Sequence, residues 1–163
     1  MPKTAPMLHL FCGKIAAGKS TLAAELAQQS GTVLIAEDAW LGALFSDQMA
    51  TGADYLRVSE KLRRIMGPHV ASLLKEGVSV VLDFPANTVT TRRWMRSIID
   101  AAQSEHRLHV LIPPDEVCLG RLRERNAAGN HPFAVTEAQF HQFSKHFEMP
   151  TPDERFALVV YDS

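Results

Sequence analysis

Short apolar runs alternate with longer amphipathic segments along the whole chain. The runs lack the strict apolar and polar alternation of a half-exposed strand, and continuous apolar runs are typical of strands that are buried on both faces of a parallel sheet. Gly13 ends the first apolar run, and Gly31 and Gly77 each end an amphipathic segment. The pattern predicts strands at residues 7–12, 32–36, 78–82, 108–112 and 156–161.

The segments between these strands carry apolar residues at helical spacing. They predict helices at residues 21–28, 39–45, 54–76, 88–104 and 113–125, and one more after Thr136. We expect Pro68 to kink the longest helix, and Thr136 with Gln139 has the spacing of a capping box. The apolar stripe of the last helix predicts three core phenylalanines, Phe140, Phe143 and Phe147.

Strands that alternate with helices and are joined by right-handed crossovers predict an α/β chain. We expect a three-layer α/β/α domain with a five-stranded, mainly parallel sheet. The length of 163 residues fits one domain over residues 1–163. Neither a monomer nor a dimer is favoured by the sequence.

Charge and cysteine content exclude several classes of protein. The chain has 17 Lys and Arg against 18 Asp and Glu, and this balance disfavours a nucleic-acid partner. Cys12 and Cys118 are too few for a disulfide framework and lack the spacing of a zinc site. No apolar stretch is long enough to cross a bilayer, and the N-terminus lacks the pattern of a signal peptide. We therefore expect a cytoplasmic protein with no membrane partner.

Candidate chemistry begins directly after the first strand, where residues 13–20 fit the pattern G-x-x-x-x-G-K-[ST]. Such a loop turns its backbone N–H groups towards phosphate oxygens and opens a helix whose positive end faces them. Lys19 is expected to reach the β- and γ-phosphates, and the Ser20 hydroxyl to ligate Mg²⁺. The predicted nucleotide contacts are Gly13, Lys14, Ile15, Ala16, Ala17, Gly18, Lys19, Ser20 and Thr21.

The rest of the chain narrows the class of P-loop protein. An Asn-Lys-x-Asp segment, which reads guanine in GTPases, is missing, and Asp83 is followed by Phe84-Pro85-Ala86 instead of D-x-x-G. The chain is also shorter than a usual ATPase motor module. These features favour a small kinase that uses ATP and Mg²⁺. Asp83 itself ends the third strand in a Walker-B-like pattern, and both a metal role and a substrate role stay open for it.

The P-loop, Asp38 after the second strand and the helix end at residues 121–126 together resemble the zeta-toxin-like P-loop kinases. These are related to gluconate kinase, chloramphenicol phosphotransferase and polynucleotide kinase within the adenylate-kinase-like P-loop NTPase fold. The resemblance implies that Asp38 takes the proton from the acceptor hydroxyl. The alternatives are that Asp38 only caps the next helix, or that Glu37 acts in its place.

Arg121 and Arg125 lie one helical turn apart, so they share a face on which guanidinium groups could meet phosphates. In the kinases that the chain resembles, such arginines belong to a lid that closes over ATP. The corresponding lid would span about residues 121–135, with a mobile loop at 127–133 whose Gly129 and Pro132 flank His131. A charged surface helix is the alternative reading of these arginines.

The acceptor pocket falls in the least patterned part of the chain, residues 41–77. Arg57 and Arg92 are the candidate acceptor contacts, alongside Asp38 and Asp83, although a solvated helix face also accounts for the two arginines. The sequence predicts transfer of the ATP γ-phosphate to a hydroxyl of a small molecule. A 5′-hydroxyl nucleic-acid kinase and a non-catalytic ATP sensor are the alternatives, and metabolic, resistance and toxin kinases stay equally open.

Overall fold

A computed structural model describes residues 5–129 and 134–162 of the chain. Its strands are β1 (Met7–Gly13), β2 (Thr32–Ala36), β3 (Ser79–Pro85), β4 (Glu105–Leu111) and β5 (Leu158–Tyr161). They form one sheet in the order β2-β3-β1-β4-β5, and every pairing is parallel. The predicted five-stranded α/β/α fold is therefore confirmed.

The helices are α1 (Lys19–Leu26), α2 (Glu37–Phe45), α3 (Gly52–Lys75), α4 (Val89–Ala102), α5 (Asp115–Ala128) and α6 (Glu137–Ser144). Short 3-10 turns lie at Ser46–Gln48 and Pro152–Glu154. No helix of the described ranges is both long and apolar enough to cross a membrane.

The two faces of the sheet are buried by different helices. Leu8, Leu10 and Cys12 of β1 face a large apolar cluster that α3 and α4 cover. Phe11, on the opposite face of the same strand, packs with Ala23 of α1. This alternation is the reason that β1 reads as a continuous apolar run, since both of its faces are in the core.

Several boundaries differ from the sequence prediction for local reasons. β3 continues beyond Asp83 because the backbone N–H of Ala86 still donates to the Phe11 carbonyl of β1, at 2.9 Å. α3 begins at Gly52 because Thr51 and Asp54 form a capping box, and it continues through Pro68. α5 includes two residues of the predicted mobile loop before Gly129 ends it. The rest of that loop, 130–133, lies outside the described residues, and His131 and Pro132 lie there with it.

The capping box of Thr136 and Gln139 at the start of α6 is confirmed. The predicted core stripe of this helix is only partly right. Phe140 is fully buried and Phe147 packs against the main cluster, but Phe143 is 50% exposed. The short α6 rests mainly on α5, so one narrow face of it is covered and Phe143 lies outside that face.

Candidate functional site

The loop at residues 13–20, the phosphate-type loop, connects the central strand β1 to α1 at the carboxyl edge of the sheet. Gly13 is required there, because a Cβ atom would lie 2.8 Å from the carbonyl oxygen of Leu111. Gly18 has φ of 106°, a left-handed conformation that favours glycine, and it forms the N-cap of α1. Within the loop the N–H of Ala17 donates to the Lys14 carbonyl at 3.1 Å, and Ile15 and Ala16 pack against neighbouring apolar residues.

The Lys19 side chain folds back under this loop. Its Nζ donates to the Gly13 carbonyl and, at 2.9 Å, to the Lys14 carbonyl. Burial lowers the pKa of Lys19 to about 8, against the opposing effect of the carboxylates of Asp83 and Asp38. The amine therefore sits at the focus of the loop, where a phosphate oxygen could replace a carbonyl as its partner. Ser20 and Thr21 follow in the first turn of α1 and are exposed.

The hydroxyl of Ser20, in the first turn of α1, meets the carboxylate of Asp83 on β3. Ser20 Oγ donates to Asp83 Oδ2 at 3.0 Å. Burial raises the pKa of the Asp83 carboxyl, and the Ser20 hydrogen bond and the Lys19 charge oppose that rise. Paired hydroxyl and carboxylate oxygens fit Mg²⁺, which keeps several waters and takes phosphate oxygens as further ligands. Within the described ranges no cluster of three or more His, Cys, Asp or Glu side chains could hold a metal ion by itself.

Asp38 lies in the first turn of α2, directly after the edge strand β2, and is partly exposed. Its charge acts on Lys19, on Asp83 and on Arg125, so these four groups lie near one another at the carboxyl edge of the sheet, in what we call the crevice. The capping alternative is wrong, because α2 begins at Glu37 and Ala36 occupies the N-cap position. Asp38 is therefore the second residue of α2 and not its N-cap residue.

Glu37, the residue before Asp38, is buried and contacts α3. Its side chain is only 4% exposed and accepts a hydrogen bond from the hydroxyl of Tyr55 on α3. Burial raises the pKa of Glu37 to about 7, although the Tyr55 hydrogen bond opposes this. The geometry therefore gives no support to Glu37 as a substitute for Asp38 in contact with an acceptor.

Two of the predicted arginines reach this crevice from α5. Arg121 Nη1 donates to the Ala17 carbonyl at 3.1 Å and to the Ala16 carbonyl at 3.4 Å, so it lies against the loop. Burial lowers the pKa of Arg125, while the charge of Asp38 acts in the opposite direction. The Nε atom of Arg125 is buried and has no hydrogen-bond partner among the described residues. Arg123 faces elsewhere and pairs with Glu137 in solvent.

Asn87 is a site residue that the sequence did not reveal. Its side-chain Oδ1 accepts from the N–H of Gly13 and its Nδ2 donates to the Gly13 carbonyl, both at 2.9 Å. Its own backbone carbonyl accepts from the N–H of Glu148 at 2.8 Å. Asn87 thus holds the first residue of the loop and ties it to the segment after α6. A polar residue just past the carboxyl end of a central strand was the available signal.

Arg92 and Arg57, the predicted acceptor contacts, each pair with another carboxylate of the chain. Arg92 is 1% exposed, its Nε donates to Glu154 at 2.7 Å and its Nη1 to the Ala86 carbonyl at 2.9 Å. Position 92 is on the inner face of α4, so the acceptor role is corrected to a structural one. Arg57 lies 3.6 Å from Asp54 on the exposed start of α3 and bonds to the carbonyl of Gln48. Its acceptor contact stays a prediction that no distance to the crevice supports.

A parallel sheet with a glycine-rich loop, a lysine and a Ser–Asp pair at its carboxyl edge defines a P-loop nucleotide-binding protein. Residues 8–150 match the AAA-domain family AAA_33, a family of P-loop kinase domains, and the chain belongs to this family. Over 128 residues it is 33% identical to the adenylate kinase of Treponema pallidum, and this match covers 73% of the chain. The match spans 58% of the length of that adenylate kinase.

Solved structures of related fold include kinases. A Chloroflexus aurantiacus protein assigned as a kinase has a TM-score of 0.79 at 19% identity, over 98% of this chain and 89% of that one. The APS kinase CysC of Mycobacterium tuberculosis, in complex with AMPPNP and APS, has a TM-score of 0.61 at 19% identity, over 99% and 91%. A chain of the Pnkp1/Rnl/Hen1 RNA repair complex has a TM-score of 0.64 at 17% identity, over 89% and 45%. At these identities the likeness shows the fold alone.

Proposed function

We propose that this chain is an ATP- and Mg²⁺-dependent phosphotransferase that moves the γ-phosphate to a hydroxyl of a small-molecule acceptor. One observation carries the proposal: Asp38 follows the strand β2 at the carboxyl edge of the sheet, and its charge acts on Lys19, Asp83 and Arg125. The Asp38 carboxylate is additional to Lys19 and to the Ser20–Asp83 pair, which are assigned to the phosphates and the metal. It is suited to accept a proton from a hydroxyl that attacks the γ-phosphate.

The roles of the side chains follow from their positions. The backbone N–H groups of the loop and the amine of Lys19 would bind the β- and γ-phosphates. The acceptor oxygen attacks phosphorus as its proton passes to Asp38, the bond to the β-phosphate oxygen breaks, and ADP leaves. Arg125, with its buried Nε, would bind the charge spread over the transferring group.

Ser20 and Asp83 are the residues that would hold Mg²⁺, and the ion would supply positive charge against the phosphate oxygens. Arg121 touches the loop from the start of the predicted lid. We include in the proposal that the part of α5 that carries Arg121 and Arg125 closes over ATP once the acceptor is bound. Closure would bring the α5 arginines nearer to the γ-phosphate and exclude water.

The test is release of ADP from Mg-ATP in the presence of sugars, nucleosides, antibiotics and RNA with free 5′ ends. Asp38→Asn should lower turnover roughly 100- to 10,000-fold, the usual contribution of a general base, while the dissociation constant for ATP stays nearly unchanged. Asp100→Asn removes an exposed carboxylate of α4 and serves as the matched control. Full turnover in Asp38→Asn would remove this residue from the mechanism.

The fold likeness to a chain of an RNA repair complex favours a 5′-hydroxyl nucleic-acid kinase as the second candidate. The net charge of -1 disfavours an extended phosphate-binding surface. Phosphorylation of RNA ends, with an affinity that falls steeply as salt is added, would select this candidate. ATP binding with no acceptor phosphorylated would instead select a nucleotide-sensing module.

A further inference from the structure

We propose that Glu37 and Tyr55 form a positioning pair that orients the Asp38 carboxylate towards the acceptor hydroxyl. The inference rests on the proposed function, because it assigns a role relative to the catalytic base. Glu37 belongs to the first turn of α2 and Tyr55 to the first turn of α3, and the Tyr55 hydroxyl donates to Glu37 Oε1. Asp38 is the next residue along the chain.

The pair fixes the turn that carries Asp38. The side chain of Glu37 is 4% exposed, so the first turn of α2 is anchored inward while Asp38 remains partly exposed in the crevice. Without the Tyr55 hydroxyl, the anchoring carboxyl would lose its hydrogen bond and α2 could rotate about the end of β2. A shift of about 1 Å at a catalytic group can lower the rate about a hundredfold.

Stability alone does not explain an acid at position 37. Burying a carboxyl group is costly, and a glutamine would accept the same phenol hydrogen bond without carrying charge. The groups that face Glu37 from the packed elements are Tyr55 and Arg63 of α3, Asp38 of α2 and Asp83 of β3. Arg63 is itself held by Ser59 and Thr91, with Nη1 at 3.2 Å from Thr91 Oγ1.

The charge of Glu37 should also affect the reaction rate, in addition to the position that the pair gives to Asp38. With its pKa raised to about 7, Glu37 carries a proton below neutral pH and a negative charge above it. A negative charge on the residue next to Asp38 favours movement of the acceptor proton towards the crevice, because opposite charges attract. The rate of phosphoryl transfer should therefore rise as Glu37 ionises, and an uncharged residue at position 37 should remove that rise.

Two substitutions separate the two effects. Tyr55→Phe removes the hydrogen bond and should lower kcat roughly 10- to 100-fold, with little change in ATP affinity. Glu37→Gln keeps an acceptor for the phenol, so kcat below pH 7 should stay within about threefold, while the step near pH 7 in the kcat profile disappears. Trp94→Phe is the matched control, because it breaks another bond between two helices, from Trp94 Nε1 to the Arg63 carbonyl.

ADP release from Mg-ATP is the readout, with the acceptor found in the panel or with water as acceptor. Carbon-13 NMR of the Asp38 carboxyl is measured beside it and needs no acceptor. The wild type should show a change in the Asp38 signal near pH 7 as Glu37 titrates, and Glu37→Gln should lack it. The inference would be overturned if Tyr55→Phe lowered kcat no more than Trp94→Phe does. It would also be overturned if Glu37→Gln left the pH dependence of the Asp38 signal unchanged. Full activity of Asp38→Asn would instead overturn the proposed function.

Discussion

Arg92 and Glu154 form a buried ion pair that offers a quantitative test of the fold. Arg92 on α4 is 1% exposed, and the side chain of Glu154 on the last 3-10 turn is 14% exposed. The Arg92 Nε to Glu154 Oε1 distance is 2.7 Å, and Nη2 lies 3.4 Å from Oε2. We predict that Glu154→Ala destabilises the protein strongly, because it leaves the guanidinium charge buried without its partner.

The loss should be about 3 kcal/mol, at the low end for breaking a buried pair because Glu154 keeps some contact with solvent. For a chain of this size that corresponds to a fall of about 6–12 °C in Tm. The double variant Arg92→Met, Glu154→Ala should recover much of the loss, since no charge is then left uncompensated. Urea denaturation followed by circular dichroism measures both variants.

The exposed pair of Arg123 and Glu137 supplies the contrast. Breaking it with Arg123→Ala should leave the denaturation midpoint almost unchanged, because solvent replaces the lost partner. A Glu154→Ala variant no less stable than Arg123→Ala, or a double variant as unstable as the single one, would refute the reasoning. A change in acceptor KM without a change in stability would restore Arg92 to the site.

Three further predictions test the loop and the sheet. Gly13→Ala should abolish ATP binding in a calorimetric titration, because the new Cβ would meet the Leu111 carbonyl at 2.8 Å, whereas Gly42→Ala in α2 has open space and should bind ATP normally. Asn87→Ala should weaken ATP binding by about 1–3 kcal/mol, since both backbone groups of Gly13 lose their partner; unchanged affinity would argue against Asn87 as a support of the loop. Burial, then the charge of His9, lowers the pKa of His109 to about 4, so His109 should be neutral in the folded protein at neutral pH. Because its folded pKa lies below the usual 6.5, the associated stability is complete above pH 6.5 and is lost as pH falls towards 4. Denaturation midpoints across that window should fall for the wild type and fall less for His109→Gln.

The strands of the sheet were predictable because each strand is encoded by a run of neighbouring apolar residues. Residues 32–36 were predicted as a strand and form β2 at the same bounds. The loop at 13–20 was likewise recognisable, because its glycines and lysine follow one another in the chain. Contacts of this kind are encoded within a few residues, and such patterns can be recognised in a single sequence.

Side-chain contacts between residues that are far apart in the chain could not be predicted from these local patterns. Asn87 bonds to Gly13, 74 positions away, and Arg92 pairs with Glu154, 62 positions away. Arg92 does share a helix face with the buried Met95 and Ile99, so its burial had a periodic signal. Which acid would neutralise it depended on how the chain folds back, and a pattern of one sequence does not encode that.

The sheet order predicts different local stabilities for the strand before the loop and the strand before Asp38. β1, which carries the loop, is central and bonded to a strand on both sides, whereas β2, which leads to Asp38, is an edge strand. Amide hydrogens of β1 should therefore exchange with solvent through the rarest openings of the molecule, and those of β2 through much more frequent ones. The loop that would bind the nucleotide thus follows the strand that we expect to open least often, and Asp38, the proposed base, follows an edge strand that we expect to open more often.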